Sequence, residues 1–193
     1  MASAAEQLAR NLNFSTFAKA KVLQQRILFT VLALLVYRLG TYIPVPGIDP
    51  DAYAQSFKTA SQGIAGMFDV FAGGAVQRMA IFALNLIPYI TASIVVQVVS
   101  TATPRLEALR KEGESGRRKL NQYTRYLAVL FCAVQAFGIA KGLEASQGVV
   151  LNPGLFFEIS TVITLVGGTM FLMWLGEQIT SRGVGNGISL IIF

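Results

Sequence analysis

No histidine occurs in this chain, and cysteine occurs once, at Cys132. The first absence removes the commonest general base and the commonest transition-metal ligand, so triad hydrolases and most metalloenzymes fit poorly. A single cysteine can form no internal disulfide, so oxidative stapling plays no part. Charge is scarce as well: only 13% of the residues are charged, about half the share in an ordinary soluble domain. What fills the space is apolar. Hydrophobic residues make up 53% of the 193, arranged in blocks, and mean hydropathy is +0.55, which points to an integral membrane protein.

The blocks predict an all-α polytopic membrane protein. A first span covers 22–43, with Arg26 at one end and Arg38 near the other, where a long side chain can snorkel to the interface; Pro44 and Pro46 stop it. A second covers 77–101, a third 123–143 and a fourth 155–178. A fifth starts at 188–193, and six residues cannot cross hydrocarbon, so the chain reads as a fragment of a longer polytopic protein. No small-residue cleavage site follows the first span and further spans do, so its start reads as a retained anchor and not a signal peptide.

The net charge of +6 is topogenic rather than a nucleic-acid footprint, because the cations cluster beside hydrophobic runs. Arg10, Lys19, Lys21 and Arg26 precede the first span; Arg105, Arg110, Lys111, Arg117, Arg118, Lys119 and Arg125 lie around the 102–122 loop. Both groups are expected in the cytoplasm, which places the N-terminus there. The alternate loops, 44–76 and 144–154, hold few cations (Lys58, with Lys141 beside the second) alongside Asp49, Asp51, Asp69 and Glu144. Residues 1–21, with Leu8, Leu12, Phe14 and Phe17 near helical spacing, read either as an amphipathic segment on the inner surface or as a frayed tail.

Within the external loop, "GMFDVFAGG" is apolar enough to enter a membrane and too short to span one. Ile64, Met67, Phe68 and Phe71 recur at helical spacing, Gln62 and Asp69 mark the other face, and Gly73 and Gly74 break the helix. A short helix over 61–73 is predicted, either re-entering an outward-open cavity or resting on lipid headgroups. In the second span Asn85, Pro88, Thr91, Ser93 and Gln97 are too polar for a helix wholly in lipid. Pro88 is expected to kink it, with Leu86 and Ile90 one turn apart around the kink. "GVGNG" at 183–187 lacks the G-x-G-x-x-G spacing and a preceding strand, so it reads as a tight turn at 179–187, with Asn186 capping the next helix.

"MAIFALNLIPYITASIVVQVVS" and "WLGEQITSRGVGNGISLIIF" closely resemble the two sequence motifs of the SecY family, the central subunits of the bacterial protein-conducting channel. "IPVPGID" and "MFDVFAGGA" extend the resemblance over essentially the whole chain; Asn85 departs from it, standing where glycine is expected in many relatives. The resemblance implies the first half of a ten-helix inverted-repeat channel in the bacterial inner membrane, with the pore between the halves. It implies a short re-entrant plug helix at Ile64, Met67, Phe68, Phe71, Gly73 and Gly74. It further implies a pore ring at Leu86, Ile90, Ile188 and Ile192, and a lateral gate at Thr91, Ile94 and Gln97. The implied partners are the C-terminal half of the same protein, SecE, SecG, the SecA ATPase or the ribosome, the lipid bilayer, and unfolded polypeptides with signal sequences. No catalytic residue, metal or cofactor is implied. The rival reading is an ion-coupled secondary transporter, which would want an ionisable group near mid-membrane; Glu158 and Glu177 instead fall near opposite ends of the fourth span.

Overall fold

The computed structural model describes residues 21–60, 64–146 and 148–192. The N-terminal segment expected to be amphipathic, and residues 61–63 of the expected short helix, lie outside these. Among the described residues the chain is helices joined by turns, with two isolated antiparallel bridges: α1 (Lys21–Gly40), α2 (Pro50–Ala60), α3 (Ile64–Phe71), α4 (Ile87–Ala102), α5 (Pro104–Lys111), α6 (Glu114–Ala145), α7 (Leu155–Arg182) and α8 (Gly187–Ile192).

Three of these helices, α1, α6 and α7, are long and apolar enough to cross a bilayer on their own. α1 keeps Leu28, Leu32, Leu35 and Leu39 more than half exposed along one face, an uncovered leucine stripe that suits hydrocarbon or a neighbouring apolar helix. α6 packs against both α4 and α7. Its buried stripe is Thr124, Ala128, Cys132, Ala136 and Ala140, one residue every four, all small. Such a stripe lets a neighbouring backbone approach closely, which is what binds helices where no hydrophobic effect acts between them. α7 answers with Thr161, Leu165, Gly168, Leu172 and Ile179. Ion pairs stand toward each end of this α6/α7 couple, Arg125–Glu177 at 2.6 Å and Lys141–Glu158 at 2.6 Å. At about 1.5 Å per residue they are roughly 24–28 Å apart along the helices, close to the roughly 30 Å of hydrocarbon in a bilayer.

Four departures from the sequence reading have physical causes. First, the second span is not one kinked helix: α4 begins only at Ile87, and Pro88 occupies its first turn. A first-turn proline loses no intrahelical hydrogen bond, so the residue starts the helix instead of bending it. Residues 72–86 form successive tight turns, from Ala75 N–H to Ala72 O through Ala83 N–H to Ala80 O and Asn85 N–H to Phe82 O. Ala72, Ala75, Met79, Ala80, Phe82, Leu84 and Leu86 in this stretch are buried, as irregular backbone at membrane depth requires.

Second, the external loop contains α2, whose first turn is capped by the Asp49 carboxylate accepting from the N–H groups of Asp51 and Ala52 at 2.9 and 3.1 Å. Asp49 as cap with Pro50 next is a readable helix start that the hydropathy pattern obscured. Third, the basic loop is largely helical: α5 turns away from α4 by 102°, and α6 starts at Glu114, well before its apolar part. Glu107–Lys111 and Glu114–Arg118 pairs at i,i+4 support those polar turns. Fourth, the short helix ends at Phe71, two residues before the expected 73, because Gly73 and Gly74 at positive φ turn the chain out of it.

Residues 43–49, the "IPVPGID" stretch, act as a clasp. On one side Val45 N–H donates to Met79 O and Ile81 N–H to Ile43 O, each at 2.9 Å. On the other, Asp49 N–H donates to Val149 O at 2.9 Å and Leu151 N–H to Gly47 O at 3.1 Å. Val45, Ile48, Val149 and Phe157 are buried together beneath it. One extended segment thus ties α1, the turns before α4 and the α6–α7 connection into one end of the bundle.

Candidate functional site

The short helix α3 leaves the clasp end with most of its described side chains uncovered: Met67 is 65% and Val70 80% exposed. The side chains of Ile64, Phe68 and Phe71 lie outside the described residues. Its C-terminus is closely specified. Gly74 N–H donates to Asp69 O at 3.0 Å and Gly73 N–H to Val70 O at 3.2 Å, the paired bonds of a Schellman ending. Both glycines have positive φ, +60° and +82°, a conformation that ending demands at Gly73 and that other residues resist at either position. The Asp69 carboxylate accepts from Gln77 N–H at 2.8 Å, closing the loop 69–77 on itself. The Arg38 guanidinium, at the end of α1, donates to the Gly73 carbonyl at 2.9 Å. Arg38 and Arg78 also lie 5.4 and 4.2 Å from the centre of the Tyr42 ring. Burial first, and then the Asp69 charge, push the Tyr53 hydroxyl of α2 up to about 12, so that phenol is held neutral.

The four aliphatic residues expected in a ring are brought near one another unevenly. Leu86 is fully buried, in a cluster with Ala33, Leu172, Ile179 and Ile191, and the half-buried Ile188 and Ile192 pack on that cluster. Ile90 is half-buried one turn beyond Leu86, its N–H bonded to Leu86 O at 2.9 Å. Leu86 is therefore enclosed by this chain's own side chains and does not line an open cavity, because the turns at 80–86 fold it against α7 and α8.

The seat of α8 depends on Gly187, where a Cβ would run into the Gly176 carbonyl of α7. Asn186 caps α8, its Oδ1 accepting from Ile188 and Ser189 N–H at 3.1 and 3.4 Å. The Thr30 hydroxyl accepts from Val184 N–H at 3.1 Å, binding this turn to α1.

Thr91, Ile94 and Gln97 all stand exposed at three-residue spacing along α4. Thr91 Oγ1 donates to Ile87 O at 3.0 Å and Gln97 Nε2 to Ser93 Oγ at 3.3 Å, both within the helix. Between them lies a hydrophobic middle, 56% exposed at Ile94. The interior stretches of α6 and α7 between the ion pairs, 126–140 and 159–176, contain no ionisable acid or base except Tyr126 and Cys132, a poor arrangement for ion coupling.

Sequence reasoning missed the grouping of Arg38, Tyr42 and Arg78 around the α3 exit. A signal existed: both arginines flank the loop otherwise poor in cations, where topology gives positive charge no reason to be.

The SecY family profile matches residues 80–193. The protein translocase subunit SecY of Rickettsia bellii (strain RML369-C) is 53% identical over 187 residues, 95% of this chain and 43% of that protein. The subunit of the same name from Escherichia coli (strain K12) is 52% identical over 174 residues, 89% of this chain and 39% of that protein. A solved structure described as "The structure of a protein conducting channel" superposes with a TM-score of 0.62 at 18% identity, over 88% of this chain and 35% of that one, which speaks for the fold. The chain spans about two fifths of the length of these curated relatives.

Proposed function

Because the chain belongs to the SecY family, we propose that it supplies the first half of a membrane channel that passes unfolded polypeptides outward and releases apolar segments sideways into lipid. The clasp end faces outward and the basic end, with α5, faces the cytoplasm, as positive charge favours. The second half of the same protein faces α4 and α8, SecE and SecG complete the assembly, and the SecA ATPase or a ribosome docks at the basic end. The action needs no covalent step and no cofactor: substrate passage is a matter of opening and sealing.

The observation that carries this reading is α3, a short apolar helix anchored at its C-terminus while Met67 and Val70 remain uncovered. A helix of that composition needs a seat, and the outer funnel of a channel provides one. Ile90, Ile188 and Ile192 then contribute to an aliphatic waist, with Leu86 backing it from within, where uncharged side chains exclude water and ions without gripping any particular sequence. The Thr91, Ile94 and Gln97 stripe meets the missing half across a seam that an apolar signal sequence opens by offering lipid-like contacts.

The test uses the full-length parent in its membrane, with a photo-crosslinking residue at Ile94 or, as a lipid-facing control, at Leu32. A secretory precursor arrested in transit is expected to form adducts at Ile94 and not at Leu32. Equal or absent labelling at the two positions would remove the gate from this face.

A further inference from the structure

We infer that Arg38, Tyr42 and Arg78 form a latch that positions α3 in its seat, so that these three side chains, and not α3 alone, set how tightly the resting channel is sealed; this rests on the channel reading above. The geometry is specific. Arg38 donates to the carbonyl of Gly73, the residue at which α3 gives way to its exit turn. A cation at a helix C-terminus also meets the negative end of the helix dipole. A guanidinium suits this place better than an ammonium, because it can donate to a carbonyl from one edge while presenting its plane to a ring. Tyr42 is that ring for Arg38 and Arg78 alike.

The passage between them is tight. A Cβ on Gly73 would come within 3.3 Å of Arg38 Nη1 and 3.6 Å of the Tyr37 hydroxyl, and one on Gly74 within 3.4 Å of Arg78 Nη1. The exit turn of α3 is thus threaded past two guanidinium groups. One belongs to α1; the other follows Gln77, whose N–H holds Asp69. Displacing α3 together with its exit turn requires the Arg38–Gly73 bond to break. Arg38 is therefore the side-chain tie between the exit turn of α3 and α1. All three side chains are exposed, so the tie is weak enough to be broken by an entering substrate. Losing one such hydrogen bond corresponds to roughly a three- to tenfold change in an equilibrium.

The experiment measures ion conductance of the full-length parent with its partner subunits in planar bilayers, at matched protein amounts, beside secretion of a precursor in cells. Five forms are compared: the parent, a deletion of 64–74, Arg38→Gln, Arg38→Lys and Tyr42→Leu. The deletion is expected to leak strongly. Arg38→Gln and Tyr42→Leu are expected to raise resting conductance roughly three- to tenfold with secretion retained, and Arg38→Lys to restore much of the seal. A leaking deletion beside Arg38→Gln and Tyr42→Leu variants that conduct like the parent would overturn the latch and leave the channel reading standing. A deletion that does not leak would overturn the sealing role of α3 and the latch together. If Arg38→Lys leaks as much as Arg38→Gln, the assignment to a cationic donor fails. Should Arg38→Gln not accumulate in the membrane, Tyr42→Leu, which keeps both cations, decides the matter by the same reading.

Discussion

Asn85 offers a test of the backbone argument on which the start of α4 depends. It has φ of +49° at 2% exposure, and its N–H donates to Phe82 O at 2.9 Å in the last turn before Ile87. The left-handed region costs an ordinary L residue about 1–2 kcal/mol, and asparagine less, because its short amide can bond locally. The informative series is Asn85→Gly, Asn85→Ala and Asn85→Val. All three delete the amide, so differences among them report the backbone and not the lost polar group. The site already holds a Cβ, so alanine introduces no new clash. Its backbone penalty of about 1.5 kcal/mol is partly offset by about 0.7 kcal/mol from the smaller entropy of its unfolded chain relative to glycine. Alanine should thus be about 0.8 kcal/mol less stable than glycine, roughly a fourfold change in the unfolding constant. Valine, β-branched at positive φ and crowded in a closed site, should lose about 2 kcal/mol or more. The measurement is SDS-driven unfolding of the full-length parent in bicelles. Alanine and valine variants that unfold at the same SDS fraction as glycine would refute the claim that a left-handed residue sets this helix start.

Two further outcomes follow from the geometry. Gly187→Ala forces a Cβ into the Gly176 carbonyl and to 2.7 Å from the Ile179 Cβ, so α8 should lift from α7 and the 183–187 turn become protease-sensitive in membranes; resistance equal to the parent would contradict the packing described. For Tyr53, a folded pKa of about 12 against an ordinary 10.0 means the neutral phenol is favoured in the fold. Its contribution to stability is therefore complete below pH 10 and lost between pH 10 and about 12. Across that interval the parent should lose stability relative to Tyr53→Phe, and parallel profiles would rule out the contribution.

The membrane environment, the family and most of the rods are legible in the residue order alone. Hydropathy alone marks α1, α6 and α7, because an unbroken apolar run has no other stable environment than hydrocarbon or a deep core. Paired small residues in α6, the basic run before its apolar part, and the capping Asn186 are all local signals, readable at fixed spacing. The same local logic failed at 77–86, where an apolar stretch continuous with α4 reads as more helix. Only tertiary structure decided otherwise there. The clasp at 43–49 offers the Ile43 carbonyl to Ile81 N–H and the Val45 N–H to Met79 O, partners that a turn at that depth would otherwise lack. Tertiary structure also decided that Leu86 is enclosed while Ile94 is bare, a difference of neighbours that no spacing encodes. It brought Arg38, Tyr42 and Arg78 to one place as well. A hydrogen bond across 35 positions leaves no periodic trace in a sequence, since its partners are chosen by where the bundle puts them.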